Sequence, residues 1–148
     1  MDQKKEIQIA LHAPNIVNIC IDECRNGEVA GCLYHCYDEN PWEFANVLKM
    51  VELMEELYDR ISFPQASTKT RSFVNAACES KERPQKVSTP QDVAAHRGKK
   101  GSFLTCVKYR QNSSWQGETQ HLEEGTVQQF ISVLELLKII SNALDVEE

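Results

Sequence analysis

The chain has 148 residues, 41% of them hydrophobic and 26% charged, and a net charge of −6. That length suits one domain with a real core, and the acidic balance speaks for solubility and against non-specific nucleic-acid binding. No apolar run approaches the roughly 18 residues that a membrane span needs, so no membrane contact is expected.

The N-terminal stretch "MDQKKEIQIALHAPN" carries Lys4 and Lys5 but no long apolar run after them, and so reads poorly as a signal peptide. A cytoplasmic, reducing location is the expectation. Six cysteines are many for this length, yet too few for a disulfide scaffold.

Laid against itself at an offset of 86, the chain shows one pattern written twice. Between residues 19–54 and 105–140 the identities are Cys20/Cys106, Asn26/Asn112, Gly31/Gly117, His35/His121, Phe44/Phe130, Val47/Val133 and Leu48/Leu134. In the first copy Val17, Ile19 and Ile21 alternate, a polar turn "CRNGE" follows, and "VAGCLYHCY" returns. β-Branched and aromatic residues around an Asn-Gly turn predict a β-hairpin. The period then changes. Asn40 fits a helix cap with Pro41 as the first helical residue and Glu43 three positions on, a capping box. Phe44, Val47, Leu48, Val51 and Met54 form an apolar stripe, widened by Met50, Leu53 and Leu57, with Glu52, Glu55 and Glu56 on the wet side. This first β-hairpin–helix (ββα) unit covers residues 15–60.

The thiols Cys20, Cys24, Cys32 and Cys36 all fall in this hairpin. Strand residues four apart lie about 13 Å from each other, too far to share one tetrahedral zinc, so no metal is expected. A register centred on Glu28 brings Cys24 toward Cys32 and Cys20 toward Cys36. A two-residue turn at Asn26 and Gly27 separates both pairs instead, and the sequence leaves the choice open. Buried or half-buried inert thiols are the first reading; a thiol-dependent enzyme or redox regulator is the alternative and requires a lowered thiol pKa. His35 and His121 read as partly exposed strand histidines without a converging nucleophile.

Residues 64–101 hold eight Lys or Arg against three Asp or Glu, with three prolines and no sustained period. They predict a polar basic linker, partly disordered, whose opening "FPQASTKTRSF" folds back onto the body. Arg71, Lys81, Arg83, Lys86, Arg97, Lys99 and Lys100 offer a weak nucleic-acid binder as a further alternative, but aromatics are sparse and nucleic acid is not the expected partner.

The second copy, residues 102–145, repeats the scheme. Phe103, Val107 and Tyr109 precede the turn "RQNSS", and "WQGETQHL" returns. Thr126 takes the cap position with Gln129 three on, and Phe130, Val133, Leu134, Leu137 and Ile140 make the stripe, widened by Leu136, Ile139 and Leu144. Two such units predict an α+β fold: a four-stranded, mainly antiparallel sheet with both helices on one face. Trp115 is expected to pack near Gly117, as aromatics do over strand glycines. An exposed recognition role is the alternative for Trp115, shared with Tyr109, Arg110, Trp42 and Tyr34. Ser113 and Ser114 read as turn formers, and no G-x-S-x-G, HExxH or phosphate-loop motif is present.

"VKYRQNSSWQG", then "LEEG" and "F-x-S-x-LELLKII", with "FPQASTKTRSF" upstream, resembles a family of short proteins from clostridial-type gut Gram-positive bacteria. The match runs through Arg110, Gln111, Asn112, Ser114, Trp115, Gln116 and Gly117, then Leu134 to Leu136; His121 departs from it, standing where the family has Trp. The resemblance implies a bacterial source and no mechanism.

The functional expectation is a non-catalytic protein-interaction or regulatory module, without catalytic residue or cofactor. It would bind another protein or a second copy of itself through the sheet face that the helices leave bare, where Asn18, Asp22, Tyr34 and the four hairpin cysteines gather.

Overall fold

Two runs of the same four elements, three strands and a helix, build the protein. The computed structural model describes residues 7, 9, 13, 15–25, 28–61, 85–111 and 114–146. The first run is β1 (Val17–Arg25), β2 (Glu28–His35), β3 (Asp38–Phe44) and α1 (Val47–Ile61). A short α2 (Pro90–Ala95) precedes the second run: β4 (Gly101–Gln111), β5 (Ser114–His121), β6 (Thr126–Phe130) and α3 (Val133–Val146). All strands join one antiparallel sheet in the order β3-β2-β1-β4-β5-β6.

The sheet therefore has six strands where the sequence predicted four, and each unit is βββα rather than ββα. The error sits at "DENPWEF" and "TVQQF", read as helix starts but hydrogen-bonded to β2 and β5 as outer strands. Pro41 is tolerated because β3 is an edge, where a missing N–H breaks no ladder. The true caps lie six residues further on. Asn46 Oδ1 accepts from Lys49 N (2.8 Å) and Ser132 Oγ accepts from Glu135 N (3.1 Å), and these two caps are again 86 residues apart.

Helix phase shifts with the caps. Met50, Met54, Leu57, Tyr58 and Ile61 of α1, with Leu136, Ile140 and Leu144 of α3, face the sheet and are buried. They share one core with Ile19, Leu33, Phe44, Phe103 and Phe130, so both long helices lie on the same (inner) face. Leu48 and Leu134, placed by the sequence in the apolar stripes, are 68% and 61% exposed.

The offset of 86 holds down to backbone detail. A bulge falls between Ile21 and Glu23 of β1 and between Val107 and Tyr109 of β4. Each bulge sits opposite a glycine, Gly31 or Gly117, whose Cα packs so closely on the carbonyl of Cys20 or Cys106 that a Cβ has no room. In the β1–β4 seam, Val17 pairs with Thr105 and Ile19 with Phe103, so exchanging the units maps the register onto itself. The two units are thus related by a pseudo-twofold axis normal to the sheet.

The outer face, expected bare, is partly covered. Ile9, Ile16, Val93 and Ala94 pack there against Cys36, Leu104, Cys106 and Leu122. Thr89 caps α2 by accepting from Asp92 N, and Asn18 Nδ2 ties the helix down by donating to the carbonyls of Val93 (2.8 Å) and His96 (3.0 Å). Lys99 N donates to Asp22 Oδ1 and Lys100 N to the Ile21 carbonyl. Residues 85–100 of the expected linker are therefore a strap across the sheet. "FPQASTKTRSF" and the basic residues Arg71, Lys81 and Arg83 lie outside the described residues.

Candidate functional site

Each unit has a groove between its outer strand and its helix, and the pseudo-twofold makes the two comparable. Leu33 pairs with Trp42 in the first, and Thr119 pairs with Gln128 in the second. In the first groove the Trp42 indole lies edge-on to His35, with ring centroids 4.3 Å apart and planes at 82°. Its Nε1 donates to Asp38 Oδ2 (2.8 Å), and the Arg60 guanidinium stands over it at 5.4 Å. A space of about 290 Å³ remains open beside the ring, lined by Asp38, Trp42, Leu53, Glu56 and Arg60, and His35 does not line it. In the second, Gln128 replaces the ring, and a cleft of about 260 Å³ opens onto Thr119, His121, Glu124, Ile139 and Asn142.

Both histidines are buried, 2% and 6% exposed, which corrects the reading of partly exposed strand side chains. His35 Nδ1 accepts from Tyr37 N (3.1 Å). His121 lies flat on Phe103, with centroids 4.7 Å apart, and its Nε2 stands 3.4 Å from Glu123 Oε1 without a hydrogen bond. Ser102 Oγ donates to the other oxygen of Glu123 (2.8 Å). The carboxylate thus sits between serine and histidine. A nucleophilic triad requires the histidine in the middle to take the serine proton, so this arrangement fixes the β5–β6 turn rather than activating Ser102.

Burial holds the His35 imidazole at about 4, down from an ordinary value near 6.5, with Asp38 opposing the shift and Arg60 adding to it. Its folded pKa lies below the unfolded one, so the unfolded chain takes the proton first as pH falls. The stability tied to neutral His35 is whole above about pH 6.5 and declines down to about pH 4, by about 3 kcal/mol in all. Urea unfolding across that range should show a shallower decline for His35→Gln than for the parent chain; equal slopes would refute the assignment.

The hairpin thiols do not form a reactive cluster. Cys20, Cys24, Cys32, Cys36 and Cys106 are free. Arg25 pairs with Glu28, but the bulge resets the register and places Cys20 opposite Cys32, a pairing that neither sequence alternative contained. Burial pushes the Cys20 thiol up to about 12 and raises Cys32, Cys36 and Cys106 as well, which suppresses the nucleophilic thiolate. Cys24 is exposed. Among the described residues no three His, Cys, Asp or Glu side chains gather as a metal site.

The predicted recognition residues scatter. Trp115 is wholly buried, edge-on to Tyr58, and donates from Nε1 to Glu55 Oε2 (2.6 Å). Arg110, with its side chain 4% exposed, bridges Glu55 (2.7 Å) and Asp59 (3.0 Å). These contacts fasten α1 of the first unit onto β4 and β5 of the second. Tyr34 stacks on His96 of the strap at 3.6 Å, and Trp42 stands edge-on to His35 within its own groove. Tyr109 alone of the five stands well out, 63% exposed.

At the same end of the second unit as Tyr109, the structure exposes two residues that were not predicted as contacts. β4 ends, β5 begins and β6 passes into α3 at one end of the second unit, where Ile131 (64% exposed) and Leu134 also project. The Ile131 carbonyl accepts from Ser114 Oγ, which ties this corner to β5. The equivalent positions of the first unit hold Glu23, Ala45 and Leu48. That comparison was available in the sequence at the offset of 86, as was Trp42 against Gln128.

Compared with known proteins, the chain matches no family model, no curated protein and no solved structure. No helix among the described residues is long and apolar enough to cross a membrane.

Proposed function

We propose that the chain is a non-catalytic interaction module that self-associates through the end of its second unit where β4 ends and β6 passes into α3, together with the free edge of β6. The observation that carries this reading is the difference between matched corners. The first unit folds with Glu23 and Ala45 where the second exposes Tyr109 and Ile131, so the fold does not require large apolar groups there. Tyrosine is enriched among interface anchors, and apolar side chains exposed without a folding role add contact area around it.

The sheet edges differ in the same sense. β3 carries Asp38, Glu39, Pro41 and Glu43, which repel or block another strand. β6, from Thr126 to Phe130, has neither charge nor proline and leaves a pairing edge open. An antiparallel edge is its own complement under a twofold axis, which makes a second copy the fitting partner. Its free thiols suit a reducing, cytoplasmic setting.

Sedimentation velocity over a concentration series tests the reading. The parent chain should dimerise, and the double variant Tyr109→Glu, Ile131→Ala, which copies the first unit, should dimerise about 10–100-fold more weakly with its thermal unfolding unchanged. A parent chain that stays monomeric throughout, or a variant that associates equally well, overturns it.

A further inference from the structure

We propose that the cleft beside His121 binds a planar heteroaromatic ring carrying an N–H donor, of the indole class, in the place that Trp42 occupies in the first unit. The protein supplies its own template. Strand pairing makes Trp42 and Gln128 structural equivalents, and helix positions Leu53 and Glu56 match Ile139 and Asn142 at the same offset of 86.

In the first unit the ring covers His35 so fully that the histidine does not reach the open groove. The two open spaces are similar in size, about 290 Å³ in the first unit and about 260 Å³ in the second, but only the second, beside the smaller Gln128, reaches the histidine and Thr119. His121 is stacked on Phe103 on one side, and its Nε2 lies 3.4 Å from Glu123 Oε1. Polar side chains dominate the lining, with Ile139 and Ala143 as its apolar members, so the cleft offers a small flat ligand several hydrogen-bond partners beside the histidine ring.

The polar contact is templated too. Trp42 Nε1 donates to the carboxylate of Asp38. Glu124, 86 positions later, lines the second cleft, though it reaches it from a four-residue turn rather than from the outer strand. A ring lying edge-on to His121 would therefore meet a carboxylate acceptor for its N–H. Aromatic edge-to-face contact and one charge-assisted hydrogen bond are the two interactions that the first unit already makes with its own side chain.

Indole and 1-methylindole, which lacks the N–H, are the probes, read by amide chemical shifts and calorimetry on the full chain. Indole should bind saturably, with the largest shifts at Thr119, His121 and Gln128, and more tightly than 1-methylindole. Gln128→Trp fills the cleft from within and should weaken indole about tenfold or more. Glu124→Ala should abolish the preference for indole over 1-methylindole, a readout that does not depend on Gln128→Trp folding. No saturable shift in the parent chain, shifts confined to the first groove, or an indole preference that survives Glu124→Ala would each overturn the proposal.

Discussion

Trp115→Ala is expected to cost about 3–5 kcal/mol of folding stability, the range for deleting a large buried aromatic. The side chain is completely enclosed, and its removal opens a void against Tyr58 at the point where α1 crosses from its own unit onto the other. It also strips Glu55 of one donor, leaving that carboxylate to Arg110. Domains of this kind hold only about 5–15 kcal/mol in total, so the variant should unfold at much lower urea or not fold at all. Trp115→Phe separates the contributions: it keeps most of the apolar area and loses the indole hydrogen bond, for which about 1.5–3 kcal/mol is the usual cost with a charged partner. A loss under about 1 kcal/mol for the alanine variant would contradict the placement of Trp115 as the clasp between the units.

Gly117→Ala should be at least as damaging, although it adds a single methyl group. The new Cβ would fall on the Cys106 carbonyl oxygen and lie 2.8 Å from the Val107 Cα. Both are backbone atoms held in the β4–β5 ladder beside the bulge, so neither can rotate aside as a side chain would. The cost should exceed the roughly 1–3 kcal/mol of ordinary overpacking. Gly125→Ala is the control. That glycine has φ of 81° in the β5–β6 turn, and an alanine there should cost only about 1–2 kcal/mol. Thermal unfolding by circular dichroism ranks the two; a Gly117→Ala melt close to that of the parent chain would remove the close-approach account. By the pseudo-twofold, Gly31→Ala should behave as Gly117→Ala does.

Two positions show why recognition was harder to read than architecture. Arg110 and Trp115 have the residue types of an interface, but both are spent inside the molecule because α1 presents Glu55 and Asp59 to them across more than fifty residues of sequence. Ile131 lies between the core residue Phe130 and the helix cap Ser132, and that turn out of β6 leaves it exposed.

The sequence by itself determined that the chain is a duplication. Identities at one offset, an Asn-Gly turn between alternating strands, and glycines at matched positions are local signals, and local signals survive without knowledge of the fold. They placed β1–β2 and β4–β5. The outer strands were decided by the tertiary structure alone. Phe44, Val47, Leu48 and Val51 satisfy a helical period by accident, while β3 has no clean alternation because it is a part-exposed edge. Whether Phe44 ends a strand or starts a helix depends on hydrogen bonds to Gly31, a partner that the residues around Phe44 do not encode. The same holds for the second groove: its residues were visible, but that the space beside Gln128 reaches the buried His121 follows only from where β6 and α3 come to rest.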